Sequence, residues 1–101
     1  MKVIPDKAEV ALDFPDKVYV GTFGTNCRFE AKTDGTGVVL KLQRHDSEKR
    51  EVDIHLHHGI FAECLEELAR SVAGQPPIDA NHRAALLAGA RHLVDALKAK
   101  R

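Results

Sequence analysis

The spacing of polar and apolar positions along this chain changes once, near residue 58. From Ala8 to His57, short apolar runs alternate with polar residues in the period-two pattern of half-buried β-strands. From Ile60 onward, apolar residues recur three or four positions apart, which is the spacing of amphipathic helices. The chain therefore predicts an α+β fold in which an antiparallel β-meander of about five strands, residues 8–57, is followed by two α-helices packed on one face of the sheet.

Local signals set the expected bounds of the two helices. The first helix is expected over about residues 59–73, because Gly74 and the Pro76-Pro77 pair end it. Asp79 is a suitable N-cap for the second helix, expected over about residues 79–99. Both helices carry an apolar stripe that we expect to be buried.

The sequence Thr33-Asp34-Gly35-Thr36 predicts a tight hairpin. Asp-Gly is a preferred pair for a two-residue type I′ turn, because both turn positions need positive φ. With Thr33 opposite Thr36, Phe29 would face Leu40, and every facing pair on that side of the hairpin is apolar. The agreement between turn chemistry and apolar pattern predicts the register of this hairpin.

The next hairpin, between residues 38–43 and 52–57, allows two registers. Keeping the apolar residues of both strands on one face requires even-numbered residues to oppose even-numbered ones. A three-residue loop, Ser47 to Lys49, would place His45 opposite Glu51. A five-residue loop would instead place Lys41 opposite Asp53. The sequence leaves both registers open.

Length and composition indicate a single small domain of residues 1–101. Of the 101 residues 44% are apolar and 30% are charged, which are ordinary globular values. No stretch approaches the roughly 20 apolar residues of a membrane-spanning helix, so no membrane partner is expected. The N-terminus lacks the apolar core of a signal peptide, which predicts a cytoplasmic protein. Cys27 and Cys64 are expected to be buried, reduced thiols.

Charge is unevenly distributed although the net charge is zero. Residues 1–79 hold ten Lys or Arg against fourteen Asp or Glu, whereas residues 80–101 hold five against one. The basic C-terminal helix could be an ordinary solvated helix, a contact for an anionic partner, or a docking surface for the acidic part of a second copy. Its candidate anion or nucleic-acid contacts are Arg83, Arg91, Lys98, Lys100 and Arg101.

A cluster of histidines near the strand-to-helix transition forms the candidate site. His55 and His57 are two residues apart on one strand, so their side chains point to the same face about 6 to 7 Å apart and could both reach one metal ion. The residues that could complete the ligand set are Asp53, His58, Glu63 and His45. The same histidines are also compatible with ordinary surface positions or with an anion or partner site.

The chain has no GxGxxG, P-loop, GxSxG or HExxH element. The sequence favours a small noncatalytic binding or regulatory module that acts through protein interactions and could form a homodimer, with no cofactor. One alternative is a protein that binds zinc or another divalent metal through His55 and His57. The other is a nucleic-acid-binding regulator that uses the basic C-terminal helix.

Overall fold

The computed structural model of the chain describes residues 1–45 and 49–99. The α+β class, the antiparallel strands and the two C-terminal helices are confirmed. In chain order the elements are β1 (Lys2–Val3), β2 (Ala8–Phe14), β3 (Lys17–Phe23), β4 (Arg28–Thr33), β5 (Gly37–His45), β6 (Lys49–His57), α1 (His58–Gly74) and α2 (Ala80–Ala99).

The strands form two sheets rather than one five-stranded meander. A four-stranded sheet has the order β1-β4-β5-β6, and β2 pairs only with β3 in a separate hairpin. The meander prediction omitted β1, whose Lys2 lies opposite Phe29 of β4. The Ile4 N–H then donates to the Cys27 carbonyl at 3.1 Å, which extends this pairing past the end of β1. The N-terminal segment thus occupies the sheet position next to β4 that a continuous meander would have given to β3.

The hairpin between β4 and β5 keeps the predicted faces but not the predicted turn. Phe29 lies opposite Leu42, a register two residues away from the expected one. The turn is closed by the Asp34 N–H, which donates to the Gly37 carbonyl at 2.9 Å. No described residue has positive φ, so the predicted type I′ turn is wrong. Because the shift is two residues, every side chain stays on its predicted face.

The hairpin between β5 and β6 adopts one of the two registers that the sequence left open. Through nine consecutive pairs, even-numbered residues oppose even-numbered ones and odd-numbered residues oppose odd-numbered ones, and Lys41 lies opposite Asp53. The register that places His45 opposite Glu51 is therefore wrong. The loop residues 46–48 lie outside the described residues.

The core lies where the N-terminal segment, the β2–β3 hairpin and the four-stranded sheet meet. Its buried side chains are Ile4, Phe23 and Cys27, so the prediction for Cys27 is confirmed, whereas Cys64 on α1 is only half-buried. Further half-buried apolar residues packed against this cluster are Ala8, Val10, Phe29, Leu42 and Val52. The Arg44 guanidinium adds a polar contact at the core edge, since it donates to the Thr22 carbonyl at 2.8 Å and lies 5.9 Å above the Phe23 ring.

The helices differ from expectation in their exposure. The chain divides into two compact units, Met1–Leu65 and Glu66–Arg101, so that the division falls inside α1. No residue of α1 or α2 is buried, and only Phe61 and Cys64 are half-buried. The predicted burial of both helical stripes is therefore not observed. An apolar stripe predicts that one side of a helix packs against another surface, but it does not identify that surface.

Neither helix of the described chain has both the length and the apolar character needed to cross a bilayer.

We expect Phe23→Ala to lower the free energy of unfolding by about 3–5 kcal/mol, because the truncation leaves a cavity in the core. Phe23 is 1% exposed, whereas Phe14, on the other strand of the same hairpin, is 51% exposed. Phe14→Ala removes the same atoms without emptying a buried space and is the matched control. Urea unfolding of both variants checks the prediction, and equal losses of stability would contradict the position of the core.

Candidate functional site

The polar face of the four-stranded sheet carries charges of both signs. In one row across three strands, Glu30 and Asp53 both lie opposite Lys41. Lys32 also forms an ion pair with Glu30 at 3.1 Å and lowers the pKa of that carboxyl, chiefly through their hydrogen bond. Because carboxylates and lysines alternate, this face is electrostatically balanced. It differs from the uniformly basic groove that single-stranded nucleic acids prefer.

A single carboxylate organises the turn at the end of the β4–β5 hairpin. Asp34 Oδ1 accepts hydrogen bonds from the Thr36 N–H at 2.8 Å, the Gly37 N–H at 2.9 Å and the Thr36 hydroxyl at 3.0 Å. These bonds hold the pKa of Asp34 well below its usual range, with the Thr36 N–H as the largest cause. Asp34 is therefore an ionised acceptor that closes the turn without a left-handed residue.

His55 joins this turn to β6. Its Nε2 lies 3.1 Å from the Thr36 hydroxyl oxygen and 3.3 Å from Asp34 Oδ2. The ring centroid of His57 lies 5.0 Å from that of His55, and the two rings are tilted by 44°. The structure thus brings the two predicted histidines together and adds Asp34 and Thr36 as neighbours of His55.

The other proposed metal ligands are placed differently. Asp53 lies opposite Lys41, and Glu63 lies on α1, which begins at His58. Across residues 1–45 and 49–99, no three His, Cys, Asp or Glu side chains are arranged to hold a metal ion. The metal site stays a prediction, with His55 and His57 as its pair of neighbouring imidazoles. For His45, the side chain lies outside what the structure describes.

The transition from β6 to α1 is fixed by the sheet. The His58 N–H donates to the Thr36 carbonyl at 3.1 Å, so the ladder of hydrogen bonds continues to the first residue of the helix. Gly37 allows this close approach: a Cβ at this position would lie 2.7 Å from the Cα of His57 and would also meet the Leu56 backbone. The glycine is therefore needed for close packing of the strands rather than for an unusual φ.

All candidate anion contacts within the described part of the chain lie on α2. Arg83, Arg91 and Lys98 belong to this helix, whereas Lys100 and Arg101 lie outside the described residues. Arg91 and Lys98 are seven residues apart and share one flank of the helix. A nucleic-acid contact at these side chains stays a prediction.

The predicted N-cap of α2 is confirmed. Asp79 Oδ2 accepts the His82 N–H at 3.1 Å, and Asp79 Oδ1 lies 2.6 Å from His82 Nδ1. These contacts lower the pKa of Asp79, with the side-chain hydrogen bond to His82 as the largest cause. His82, which the sequence suggested as a solitary surface residue, is therefore part of the cap.

Sequence reasoning missed the contact of Asp34 with His55. The Asp-Gly pair had indicated a hairpin turn only. The signal that could have found it is Asp34 followed two residues later by Thr36, because an aspartate side chain readily accepts the N–H two positions on. That capping geometry holds the carboxylate at the end of the hairpin, within reach of β6.

Comparisons with known proteins assign no family. The chain matches no protein-family model, no curated protein and no solved structure. The functional argument therefore depends on the chemistry and exposure of its own residues.

We expect Asp34→Ala to destabilise the protein at neutral pH, and we expect this difference from the wild type to shrink steadily as the pH falls from about 4 to about 2. The pKa of Asp34 is lower in the folded state than its ordinary value of 3.8. Its carboxylate therefore stabilises the fold above about pH 4, and this contribution is lost as the pH falls through the folded pKa. Urea unfolding of both proteins between pH 7 and pH 2 measures the difference.

Asp16→Ala, in the turn between β2 and β3, is the control for a turn aspartate, because no hydrogen bond of the kind made by Asp34 is described for it. An Asp34→Ala difference that stays constant with pH would contradict the assigned role of the ionised carboxylate.

Proposed function

We propose that this protein is a noncatalytic protein-interaction module that self-associates through its helices. The observation that carries the proposal is the exposure of the apolar stripe of α2. Leu86 is 60% exposed, Leu93 is 38% exposed and Leu97 is 64% exposed. A 20-residue helix with such a stripe is stabilised mainly by packing of its apolar face, so the exposed stripe is a suitable surface for another chain.

The stripe of α2 is continuous along the helix. Leu86, Leu93 and Leu97 are separated by seven and four residues, so their side chains lie on one side of the helix. Val94 and Leu87 widen this side and are themselves exposed. Exposed apolar side chains in a contiguous patch are typical of protein interfaces, whereas isolated ones are common on any surface.

Charge favours a second copy as the partner. The segment of α1 holds Glu63, Glu66 and Glu67 against one arginine, Arg70. The segment of α2 has the opposite balance, three basic residues against one aspartate. An acidic amphipathic helix and a basic one are complementary in both apolar face and charge, so α1 of one copy is a suitable partner for α2 of another.

We expect the double substitution Leu93→Glu and Leu97→Glu to weaken self-association at least about 100-fold. Burial of each leucine side chain contributes about 1.5–3 kcal/mol, and each glutamate adds the cost of a buried charge. Sedimentation equilibrium over a range of protein concentrations measures the association constant. Circular dichroism over the same range should report a helix signal that rises with concentration in the wild type.

His92→Glu is the control, because it introduces a glutamate on the side of α2 that faces away from the leucines. We expect the control to associate like the wild type. Equal association constants for the wild type and the leucine double variant would contradict a helix-mediated interface.

A further inference from the structure

β6 presents a long unpaired edge. It is the last strand of the four-stranded sheet, it has nine residues, and within the described chain it pairs only with β5. Natural sheets usually protect such an edge with a proline, a bulge, a short strand or charged side chains, and of these β6 has only the charges. β6 contains no proline, and its ladder with β5 runs through nine consecutive pairs without a bulge. The edge therefore retains the geometry that pairing with a further strand requires.

The orientation of the backbone identifies which residues form this edge. Because the His58 N–H points to Thr36 of the neighbouring chain segment, the even-numbered residues of β6 direct their N–H and C=O groups toward β5. The odd-numbered residues direct theirs away from the sheet. These outward residues are Lys49, Glu51, Asp53, His55 and His57, and all five are exposed.

The charges along this edge suit antiparallel pairing of β6 with itself. After Lys49, the next two outward residues, Glu51 and Asp53, are acidic, and the last two, His55 and His57, are histidines. Antiparallel pairing about Ile54 places Glu51 opposite His57 of a second copy and Asp53 opposite His55 of that copy. Each carboxylate then meets an imidazole, whose ring N–H can donate a hydrogen bond to it, and cross-strand side-chain pairs of this kind stabilise antiparallel strands.

The apolar side of β6 has the same complementarity. In this register Ile54 lies opposite Ile54 of the second copy, and Val52 lies opposite Leu56 of that copy. Ile54 is 42% exposed in the single chain, so the pairing would cover apolar area on the face that holds the core. Shifting the register by one pair to centre on Asp53 would instead oppose two aspartates.

We propose that two copies of the chain join through antiparallel pairing of β6 about Ile54, giving one continuous eight-stranded sheet. The occupant of the edge is a second copy, and the Glu51–His57 and Asp53–His55 contacts between copies set the register. This interface goes beyond the helix-mediated association proposed above, because it uses none of the α2 side chains.

Two charge reversals test the pairing. Glu51 lies opposite the uncharged Gln43, and His57 lies opposite Gly37, so neither change opposes a charged residue of the neighbouring strand. Glu51→Lys would remove the carboxylate that faces His57 of the other copy and put a lysine in its place, whereas His57→Glu would oppose two glutamates. An equimolar mixture would restore opposite charges at both ends of the interface, because the lysine introduced in one variant would meet the glutamate introduced in the other.

We expect the wild type to dimerise and each variant alone to dimerise at least about tenfold more weakly in sedimentation equilibrium. We expect the mixture to recover most of the wild-type affinity, and native mass spectrometry should show predominantly the mixed dimer. Glu9→Lys, the same charge change in the β2–β3 hairpin, is the control and should dimerise like the wild type. Circular dichroism of each variant verifies that it folds.

Amide hydrogen exchange locates the interface. In the wild type, the outward amides of Asp53 and His55 should be protected together with the inward amide of Ile54. In each variant alone, the outward amides should exchange at least about tenfold faster while Ile54 stays protected by β5.

Three results would overturn the β6 interface: a monomeric wild type at 100 μM, variants that dimerise like the wild type, or a mixture no tighter than its components. The helix proposal would survive the last two results if the Leu93 and Leu97 double variant dissociated. Dissociation by the β6 reversals alone would instead support the sheet-edge dimer and contradict association through α2.

Discussion

The pairing of β5 with β6 is the constraint on which the rest of the structure depends. Its register assigns even-numbered residues to the apolar face and odd-numbered residues to the polar face over nine consecutive pairs. The same ladder ends at the hydrogen bond between His58 and Thr36, which sets where α1 begins. It also determines that the odd-numbered backbone groups of β6 point outward. A change of register by one residue would turn the apolar residues of β6 to the other face, so the core and the contact of His55 with Asp34 would be lost together.

The faces of the sheet were predictable from the sequence, but the turn at Asp34 was not. Alternation alone assigns residues such as Phe29 and Leu42 to one face, because a side chain that is apolar must leave water. The turn depends instead on a competition between backbone conformations of similar energy. A type I′ turn would have used the freedom of Gly35, whereas the observed turn uses three hydrogen bonds to the Asp34 carboxylate. The preference of the Asp-Gly pair for type I′ turns does not take those side-chain hydrogen bonds into account. For this reason it predicted the wrong turn.

The helices show a different limit of sequence reasoning. Their positions followed from spacing and from the end signals at Gly74 and Asp79, and the structure has them within one residue of the expected bounds. Their environment did not follow, because the period of a stripe contains no information about the surface that it contacts. The candidate site was limited in the same way. The spacing of His55 and His57 placed them together, but the neighbours of His55 come from a turn 19 residues earlier in the chain.

The order of charges on β6 bears on how an exposed strand avoids indiscriminate pairing. A parallel, in-register neighbour would oppose Glu51 to Glu51, Asp53 to Asp53 and each histidine to itself, so the arrangement found in many fibrils is unfavourable here. An antiparallel neighbour centred on Ile54 places a carboxylate opposite an imidazole at each outward position from Glu51 to His57. The acidic half and the histidine half of the strand therefore act as attractive elements for one geometry and as repulsive elements for the other. A charge pattern of this kind can give an edge strand specificity without the proline or bulge that would close it altogether.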